Sequence, residues 1–515
     1  MNGAESLVAT LINNGVEVCF TNPGTSEMHM VAAIGKTDGM RSILGLFEGI
    51  CTGAADGYGR MAGKPACTLL HLGPGLSNGS ANLHNAKKAN SPVVNLIGDH
   101  ATYHKKYDAP LTSDIIGLAQ PISHWVRTTE TAADLPKDAV DAVVEATTGA
   151  GRISTLIVPA DCAWNDSVEP LARQTAPAPG VVDEAAIDRS VELLKNGKSS
   201  MLLLGNMALT EYSLELVNKI SQATGARVFC DTFFTRMPRG EGRCQIERLA
   251  YFAEQGVEQI KDVEQLIMVG TKAPVAFFAY PGKASEFYAP DSVLHTLAGV
   301  DQNAEDALER LVAAVGADGF QPIKNKLNKS PKGVDELTPR TVAMSFAHYL
   351  PTQAIVVDEG ATAGGGCYPS AAQSEPHDWL TLTGGSIGFG LPTAIGAAVA
   401  CPDRKVVCVQ GDGGAMYTIQ SLWTMARENL DICVIILANR KYQILQIELA
   451  RVGAQSMTKK TLDMLDIGNP DLDFVQLSQG MGVKASRVTT IDDFNAVYGA
   501  AMRTFGPQLI EVVLP

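Results

Sequence analysis

The apolar positions along the chain follow two spacings. Segments such as GAESLVATLINNG and LPTAIGAAVA are typical of helices, whereas ACTLLHL, SMLLLGN and DICVIILAN are short and almost wholly apolar. Short apolar runs that alternate with helices predict strands of parallel sheets, covered by helices on both faces. We therefore predict an α/β protein built from doubly wound parallel sheets.

Two segments without strong periodicity interrupt this pattern. Residues 165–182 are rich in Pro and Ala, and residues 320–339 form a second linker. A chain of 515 residues is too long for one hydrophobic core and fits about three domains. The prediction is therefore three α/β domains of similar size, at residues 1–165, 183–320 and 340–515.

Composition narrows the class of protein. Hydrophobic residues make up 46% of the chain and charged residues 19%, which is a globular balance. The formal net charge of −14 argues against a nucleic-acid partner, because a polyanion would be repelled overall. The ten cysteines form no C-x-x-C pair, which predicts buried, reduced thiols. Without a signal-peptide pattern or a run of about 18 apolar residues, we predict a soluble, cytoplasmic protein that does not bind membranes.

The stretch GDGGAMYTIQSLWTMARENLDICVIILANR, residues 411–440, begins where the apolar strand KVVCVQ ends. Open α/β sheets bind ligands at this edge, and glycines there let backbone amides surround a phosphate. Asp412 would repel a bare phosphate but suits a divalent cation between the two anions. One predicted amphipathic helix and a returning strand bring Asn439 to the same edge as a second ligand, with the carbonyl of Lys441 as a third. An isolated GDG is also compatible with a helix-capping turn.

These residues resemble the signature of thiamine diphosphate (ThDP) enzymes, in which Asn follows a GDG sequence after one helix and one strand. Ala438 stands where the family usually has a first Asn, and Arg440 follows the ligand. The resemblance covers nearly the whole chain in the order pyrimidine-binding, middle and diphosphate-binding domain. It is strongest to benzoylformate decarboxylases and acetolactate synthases. It implies Mg²⁺ and a diphosphate held by Thr362, Gly411, Gly413 and Gly414.

The resemblance also implies a catalytic carboxyl group. Glu48 is the one charge in the run LGLFEGICTG and falls where these enzymes carry the glutamate that activates the aminopyrimidine ring. Taken alone, such a glutamate is more typical of a helix cap. In LTGGSIGFG, Ile387 matches the wedge that bends the cofactor, and Gly385 the carbonyl that contacts its amino group. Asn22 and Pro23 are further candidates for cofactor contacts.

The family joins this glutamate to the diphosphate site of another subunit. The resemblance therefore implies a homodimer that forms the active site, in an arrangement that is often a homotetramer.

The substrate that the resemblance implies is a small 2-oxo acid, which loses CO₂ and is released as an aldehyde or ligated to a second carbonyl compound. His71 matches an active-site histidine of benzoylformate decarboxylase, and Thr25 or Ser26 the serine that binds the substrate carboxylate. A lone His on a strand is otherwise usually structural. The second catalytic histidine of that decarboxylase has no counterpart in APVAFFAYPG, where Phe278 and Ala279 stand. Carboligation of pyruvate, as in acetolactate synthases, is the alternative.

Further residues are candidates for the substrate pocket. His100 and His104 lie in the polar segment GDHATYHKKYDAPLTSD, and Leu111 follows them. Ile444 and Glu448 follow the predicted metal ligand, and Glu448 stands where the decarboxylase presents an aromatic side chain. The polar residues among these candidates, His100, His104 and Glu448, argue against a purely aromatic substrate. Solvated loop residues would give the same pattern.

Two hypotheses of other kinds compete with a ThDP-dependent decarboxylase or carboligase. The middle segment lacks a G-x-G-x-x-G sequence, so we expect neither FAD nor the nicotinamide cofactor of an oxidoreductase there. A catalytically silent paralogue could bind ThDP as a scaffold or regulatory subunit. The presence of Glu48, Asp412 and Asn439 argues against such a paralogue.

Overall fold

The computed structural model describes residues 1–453 and 457–514. Within these ranges the strands form three sheets, and all pairings but one are parallel. The predicted α/β class with three parallel-sheet units is thereby confirmed. The short, apolar strands are buried on both faces, as expected where helices cover a parallel sheet.

The first sheet lies in the N-terminal part of the chain. Its strands β1–β6 are Val18–Asn22, Arg41–Leu44, Ala66–Leu70, Val93–Asp99, Trp125–Thr128 and Ile153–Pro159. The helices α1–α7 are Gly3–Asn13, Met28–Lys36, Glu48–Ala62, Leu72–Ala89, Ile115–Ala119, Leu135–Ala146 and Ala160–Trp164. Short 3₁₀ turns lie at Thr25–Glu27 and Lys105–Tyr107. The strand order is β2-β1-β3-β4-β6-β5.

The second sheet lies in the middle of the chain. Strands β7–β12 are Ser200–Leu204, Arg227–Cys230, Met237–Arg239, Glu247–Arg248, Gln265–Val269 and Val293–Ala298. The helices α8–α11 are Glu184–Lys195, Glu211–Thr224, Ala253–Ile260 and Ala304–Val315, and a 3₁₀ turn lies at Asn206–Leu209. The strand order is β10-β8-β7-β11-β12, so β9 is not part of this sheet.

The third sheet lies in the C-terminal part and includes β9. Strands β13–β18 are Ala354–Glu359, His377–Thr381, Val406–Gly411, Ile432–Ala438, Lys484–Val488 and Gln508–Val513. The helices α12–α21 are Pro339–Tyr349, Ala361–Gly364, Cys367–Ser370, Gly390–Ala400, Asp412–Ala415, Ser421–Arg427, Gln443–Arg451, Lys459–Asp463, Phe474–Gly480 and Ile491–Ala501. The strand order is β17-β18-β16-β15-β13-β14-β9, with β9 antiparallel to β14.

The single helix predicted between Asp412 and Asn439 is wrong in detail. Two short helices, α16 and α17, stand there, and residues 416–420 between them form turns. Backbone bonds such as Tyr417 N–H to the Gly414 carbonyl span three residues rather than four. Two glycines in α16 and the β-branched pair that follows them disfavour a continuous helix.

The first and third units pack against each other through α3 and α15. A Cβ atom at Gly57 would collide with the carbonyl oxygen of Thr393, and one at Gly396 would collide with that of Ala54. The two helix backbones therefore approach as closely as glycine permits. This contact places the loop before α15 beside the first unit.

The remaining sequence predictions concern thiols, membranes and linkers. All ten cysteines are free of disulfides, and all but Cys401 are buried. In the described parts of the chain, no helix combines the length and apolarity needed to cross a membrane. Residues 165–182 and 320–338 contain no helix and no strand longer than a single bridge. The domain boundaries drawn there remain predictions.

Candidate active site

Several predicted site residues lie at the carboxyl edge of the first sheet. Strands β1, β3 and β4 are neighbours and run parallel, so their ends face the same side. A tight turn follows β1, and single histidines follow β3 and β4. This edge collects the predicted residues Asn22, Pro23, Thr25, Ser26, His71 and His100.

His71 is paired with Glu27, a residue that sequence reasoning did not single out. Nδ1 of His71 lies 2.8 Å from Oε2 of Glu27, which also accepts a 2.7 Å hydrogen bond from the N–H of Gly24. Glu27 is fully buried, and burial raises the pKa of its carboxyl group, whereas the Gly24 amide and His71 act in the opposite direction. A Cβ atom at Gly98 would collide with Oε1 of this carboxyl group. One ring nitrogen of His71 is thus occupied, and the other is available to a ligand.

Glu48 is the first residue of α3 and is 8% exposed. Its Oε2 atom accepts a 2.9 Å hydrogen bond from Nδ2 of Asn78 in α4. Its Oε1 atom lies beside Gly75, where a Cβ atom would be 3.5 Å away. One carboxyl oxygen is therefore held by a side chain of α4, and the other lies beside the glycine at the start of that helix.

The polar segment after β4 continues from this edge. The ring centroids of His100 and His104 are 5.5 Å apart, and those of His104 and Tyr107 are 5.6 Å apart. The buried Nε2 atom of His100 has no hydrogen-bond partner among the residues that the structure describes. Leu111, farther along, is 38% exposed. The segment therefore combines a buried ring nitrogen that lacks a hydrogen-bond partner with an exposed apolar side chain.

A second group of predicted residues lies at the carboxyl edge of the third sheet. Strands β13, β15 and β16 are adjacent and parallel, so α13, α16 and the end of β16 meet there. A Cβ atom at Gly413 would collide with the ring of Tyr442, and one at Gly414 would lie 2.7 Å from Oε1 of Glu359. Only glycine fits at these two positions. The edge collects Thr362, Gly411, Asp412, Gly413, Gly414, Asn439 and Lys441.

Asp412 is 5% exposed, and its Oδ2 atom accepts a 2.6 Å hydrogen bond from the N–H of Arg440. Burial raises the pKa of this carboxyl group, and the backbone N–H of Arg440 acts in the opposite direction. Oδ1 of Asn439 accepts a 3.2 Å hydrogen bond from the N–H of Lys441, while its Nδ2 donates to Oε1 of Gln443 at 3.0 Å. A buried carboxylate and an oriented amide oxygen are thus brought to one place by strands that are neighbours in the sheet.

Arg440, which departs from the family pattern, turns its side chain away from Asp412. Its backbone has φ = +60°, in the left-handed region. Its Nε atom lies 3.1 Å from Asp471, and both side chains of this pair are about half exposed. Arg440 therefore contributes its backbone N–H to Asp412, and its positive charge is directed to the surface.

The loop before α15 carries the residues that were predicted to contact the cofactor rings. Gly385 has φ = +73°, and a Cβ atom on it would lie 2.6 Å from the ring of Phe277. Ile387 is 37% exposed, although the loop around it is largely small or buried. Glu359 anchors the end of this loop by accepting hydrogen bonds from the N–H groups of Gly388 and Gly390 at 2.6 and 2.5 Å. A large apolar side chain is thereby presented on a fixed backbone.

Helix α18 holds Ile444 and Glu448 beside the middle unit. Oε1 of Glu448 lies 2.9 Å from Arg451, which also forms an ion pair with Glu254. The guanidinium carbon of Arg451 is 4.1 Å from the ring centroid of Phe252. The side chains of Phe252, Glu448 and Arg451 line a crevice together with Tyr251, Ala253, Ala276, Phe277, Phe278 and Tyr280. The charge of Glu448 is therefore compensated within an aromatic surrounding.

Comparisons with known proteins identify this arrangement. Residues 1–120 match the family model described as thiamine pyrophosphate enzyme, N-terminal TPP binding domain. Residues 364–512 match the model described as thiamine pyrophosphate enzyme, C-terminal TPP binding domain. A Mycobacterium tuberculosis protein, provisionally named as the acetolactate synthase large subunit IlvX, is 49% identical over 100% of this chain and 99% of its own length. The chain belongs to the ThDP (thiamine pyrophosphate) enzyme family.

Two other members of the ThDP family illustrate the range of similarity. Benzoylformate decarboxylase of Pseudomonas aeruginosa is 27% identical over 98% of this chain and 97% of its own length. The crystal structure of benzoylformate decarboxylase from Polynucleobacter necessarius has a TM-score of 0.87 at 20% identity and covers 100% of this chain and 99% of that chain. The three-unit fold is thus that of ThDP enzymes. The protein is an enzyme of this family, and the relatives compared here carry the names of benzoylformate decarboxylases and of an acetolactate synthase subunit.

The edge of the third sheet fits the groups that ThDP enzymes carry. Gly413 and Gly414 leave no room for side chains, and the buried carboxylate of Asp412 is bonded only to backbone N–H groups among the described residues. No cluster of three or more His, Cys, Asp or Glu side chains that could hold a metal occurs within residues 1–453 and 457–514. A cation bound here would therefore combine Asp412 and Asn439 with backbone and diphosphate oxygens, as Mg²⁺ commonly does.

Sequence reasoning missed several residues of these edges. Glu27 and Glu359 each lie three residues or fewer from a predicted site residue, and this proximity in sequence was the available signal. Arg451 lies one helical turn after Glu448, at a spacing that favours an ion pair. Asn82 and Asn85 gave no such signal, because their partners in the loop before α15 are about 300 positions away.

Proposed function

We propose that the protein catalyses the ThDP- and Mg²⁺-dependent decarboxylation of a 2-oxo acid and releases an aldehyde. The observation that carries this proposal is the pairing of the buried Glu27 with the partly exposed His71, at the edge that also holds Thr25 and Ser26. A histidine held by a carboxylate at one nitrogen is suited to donate a proton from the other. The relative named benzoylformate decarboxylase supports a reaction of this type.

The cofactor site of this proposal combines residues of both sheet edges. Asp412, Asn439 and the carbonyl of Lys441 bind Mg²⁺, and the backbone at Gly411, Gly413, Gly414 and Thr362 binds the diphosphate. Ile387 supports the two rings from below, and the carbonyl of Gly385 accepts from the amino group. When bound, ThDP supplies a carbon nucleophile for the keto group and an electron sink for the loss of CO₂.

The remaining residues act on the pyrimidine ring and the substrate. Glu48 hydrogen-bonds the pyrimidine nitrogen, with Asn22 and Pro23 beside it. Thr25 or Ser26 donates a hydroxyl hydrogen bond to the substrate carboxylate, and His71 supplies the proton that releases the aldehyde. The pocket is lined by His100, His104, Leu111, Ile444 and Glu448.

The ion pair of Glu448 with Arg451 affects which substrate side chain the pocket would accept. That charge is compensated, and the ring of Phe277 lies beside Gly385, with Phe278 next to it. An aryl 2-oxo acid is therefore the first substrate to test. This reasoning replaces the expectation that polar pocket residues argue against a purely aromatic substrate.

We also propose that two chains complete the active site, in a homodimer that pairs into a homotetramer. Exposed apolar side chains near Glu48 and the segment after β4 support an interface there, since Leu46 is 47%, Tyr103 63% and Tyr107 65% exposed. The disulfide-free cysteines support the cytoplasm as the compartment.

Acetolactate formation from pyruvate is the second candidate function. Two observations favour it. The segment APVAFFAYPG places Phe277 beside Gly385 and offers no second histidine as a proton donor. The 49% identical relative carries the name of an acetolactate synthase subunit. With His71 as the single histidine offered for protonation, ligation to a second carbonyl compound would compete with aldehyde release.

Incubation with two substrates separates these functions. The purified protein, supplied with ThDP and Mg²⁺, is given pyruvate or benzoylformate, and CO₂, aldehyde and acetolactate are measured. Aldehyde from benzoylformate supports the main proposal, whereas acetolactate from pyruvate without aldehyde replaces it by the second. Glu48→Gln is the matched control, expected to bind ThDP but to lose turnover. Binding of ThDP by the wild type with no CO₂ from a broad panel of 2-oxo acids would favour the scaffold hypothesis.

A further inference from the structure

We propose that Asn82 and Asn85 of α4 are positioning residues, which join the loop of residues 384–388 to the first turn of the helix that carries Glu48. The inference rests on the cofactor site proposed above, but it is independent of the substrate. It concerns how, within one chain, the loop with Gly385 and Ile387 is held relative to the helix that begins at Glu48.

A continuous chain of hydrogen bonds connects the two parts. Nδ2 of Asn82 donates to the carbonyl oxygen of Gly49, the residue after Glu48, at 2.8 Å. Oδ1 of Asn82 accepts from Nδ2 of Asn85 at 2.9 Å. Asn85 in turn donates to the carbonyl of Ser386 at 2.8 Å and accepts from the N–H of Ser386 at 3.1 Å. Two side chains therefore span the distance from the helix of Glu48 to the residue before Ile387.

Both amides are buried and fully used. Asn82 is 3% exposed and Asn85 is 0% exposed. The second hydrogen of the Asn82 amide faces the carbonyl of Gly388 at 3.3 Å. Burying an amide is costly unless its donors and acceptors are satisfied, so apolar residues would serve better if this contact only filled space. The complete bonding instead fixes one orientation for each amide and one position for the loop backbone.

The loop is held from the opposite side as well. The N–H of Gly388 donates to Glu359 at 2.6 Å, and the carbonyl of Gly388 accepts from the hydroxyl of Thr418 at 3.0 Å. At its beginning, a Cβ atom on Gly384 would lie 2.6 Å from Oδ1 of Asn85. The third sheet therefore fixes the end of the loop, while α4 of the first unit sets its middle. A change in α4 should alter how the loop meets the cofactor rings.

Isosteric substitutions test this role. Asn85→Asp retains the acceptor for the Ser386 N–H but places a carboxylate oxygen against the Ser386 carbonyl and against Asn82. Asn82→Asp does the same to the carbonyls of Gly49 and Gly388. Asn85→Ala is a milder variant, and Asn165→Asp, at an exposed position of the same unit, is the control for the added charge. Circular dichroism and thermal unfolding of the apoprotein establish that each variant is folded.

Two measurements without substrate test the two ends of this hydrogen-bond chain, namely the loop of residues 384–388 and the helix that begins at Glu48. Isothermal titration calorimetry gives the Kd for ThDP in the presence of Mg²⁺. Proton NMR after quenching in acid gives the rate at which the C2 hydrogen of bound ThDP exchanges with D₂O, which depends on Glu48. We expect Asn85→Asp to weaken ThDP binding about tenfold or more, and Asn82→Asp also to slow exchange at saturating ThDP by about tenfold. Asn165→Asp should match the wild type in both.

The outcomes are distinct from those that test the proposed reaction. Folded Asn85→Asp or Asn85→Ala protein that binds ThDP within twofold of the wild type, with unchanged exchange, would overturn the inference and assign the pair to packing alone. If the Asp variants do not fold, the result for Asn85→Ala decides. A wild-type protein that does not bind ThDP would overturn both this inference and the cofactor site. A wild type that binds ThDP but turns over no 2-oxo acid would contradict only the proposed reaction.

Discussion

Replacement of Glu359 by glutamine should change how the stability of the protein depends on pH. Glu359 lies at the end of β13, is 5% exposed and accepts hydrogen bonds from the N–H groups of Gly388 and Gly390. Burial raises the pKa of this carboxyl group from its ordinary value of 4.5 to about 7, although the Gly390 and Gly388 amides oppose that rise. The group therefore titrates in the folded protein near neutral pH.

The sign of the effect follows from proton binding. Between pH 4.5 and 7 the unfolded chain releases the proton of Glu359 while the folded protein retains it. The folded state then binds more protons, so the free energy of unfolding decreases as pH rises through this window and levels off above it. The separation of the two pKa values corresponds to about 3 kcal/mol, as an order of magnitude.

Glutamine removes this titration but introduces its own cost. Its NH₂ group replaces one of the two oxygens that accept from Gly388 and Gly390, so one N–H loses its acceptor at a cost of about 1–3 kcal/mol at every pH. We therefore expect Glu359→Gln to be less stable than the wild type at pH 5. At pH 8 the ionised wild type carries its own burial cost, so the two proteins should be similar in stability.

Thermal unfolding of the apoproteins by calorimetry between pH 5 and 8.5 measures this difference. The quantity to follow is the Tm of the wild type minus that of the variant, which should shrink as pH rises. Glu130→Gln removes an exposed carboxyl group and serves as the matched control. A Tm difference for Glu359→Gln that is equal at pH 5 and pH 8 would refute the reasoning.

Two further substitutions test residues at the carboxyl edges of the first and third sheets. Glu27→Gln preserves the shape of the residue but removes the carboxylate that holds His71, so the rate of aldehyde release should fall about 10- to 100-fold with little change in Tm; an unchanged rate would contradict the role of the pair. Asp412→Asn removes the anionic ligand and should weaken Mg²⁺-dependent ThDP binding about 100-fold by calorimetry. Asp471→Asn, which loses only the surface partner of Arg440, should bind like the wild type, and equal affinities of the two variants would speak against Asp412 as a ligand.

The residues at strand ends could be predicted because local pattern was sufficient for them. A short apolar run that ends in GDG indicates both the strand and the edge to which Asp412 is delivered, and the next run does the same for Asn439. Composition and the spacing of linkers likewise predicted three parallel-sheet units. The helix between Asp412 and Asn439 was wrong, because residues 416–420 form turns that the apolar spacing did not reveal.

Charge compensation could not be predicted in the same way. Glu448 was predicted to line the substrate pocket, and the structure pairs it with Arg451, which also reaches Glu254 of the middle unit. Arg440 follows the predicted metal ligand, and its side chain is directed to Asp471. The partners Glu254 and Asp471 lie too far along the chain for sequence spacing to identify them.

By itself, the sequence determined the α/β class and placed residue types that suit a cation, a diphosphate and a proton donor at the ends of strands, because these features depend on periodicity over a few residues. Only the tertiary structure decided that Glu27 holds His71, that Glu359 anchors the end of the loop before α15 and that Asn85 bonds Ser386 across 301 positions. Such contacts form when segments that lie apart in sequence pack together, and burial then makes each hydrogen bond and charge pair obligatory. The physical reason is that a strand end is a local property of the chain, whereas the partner of a buried polar group is a property of the whole fold.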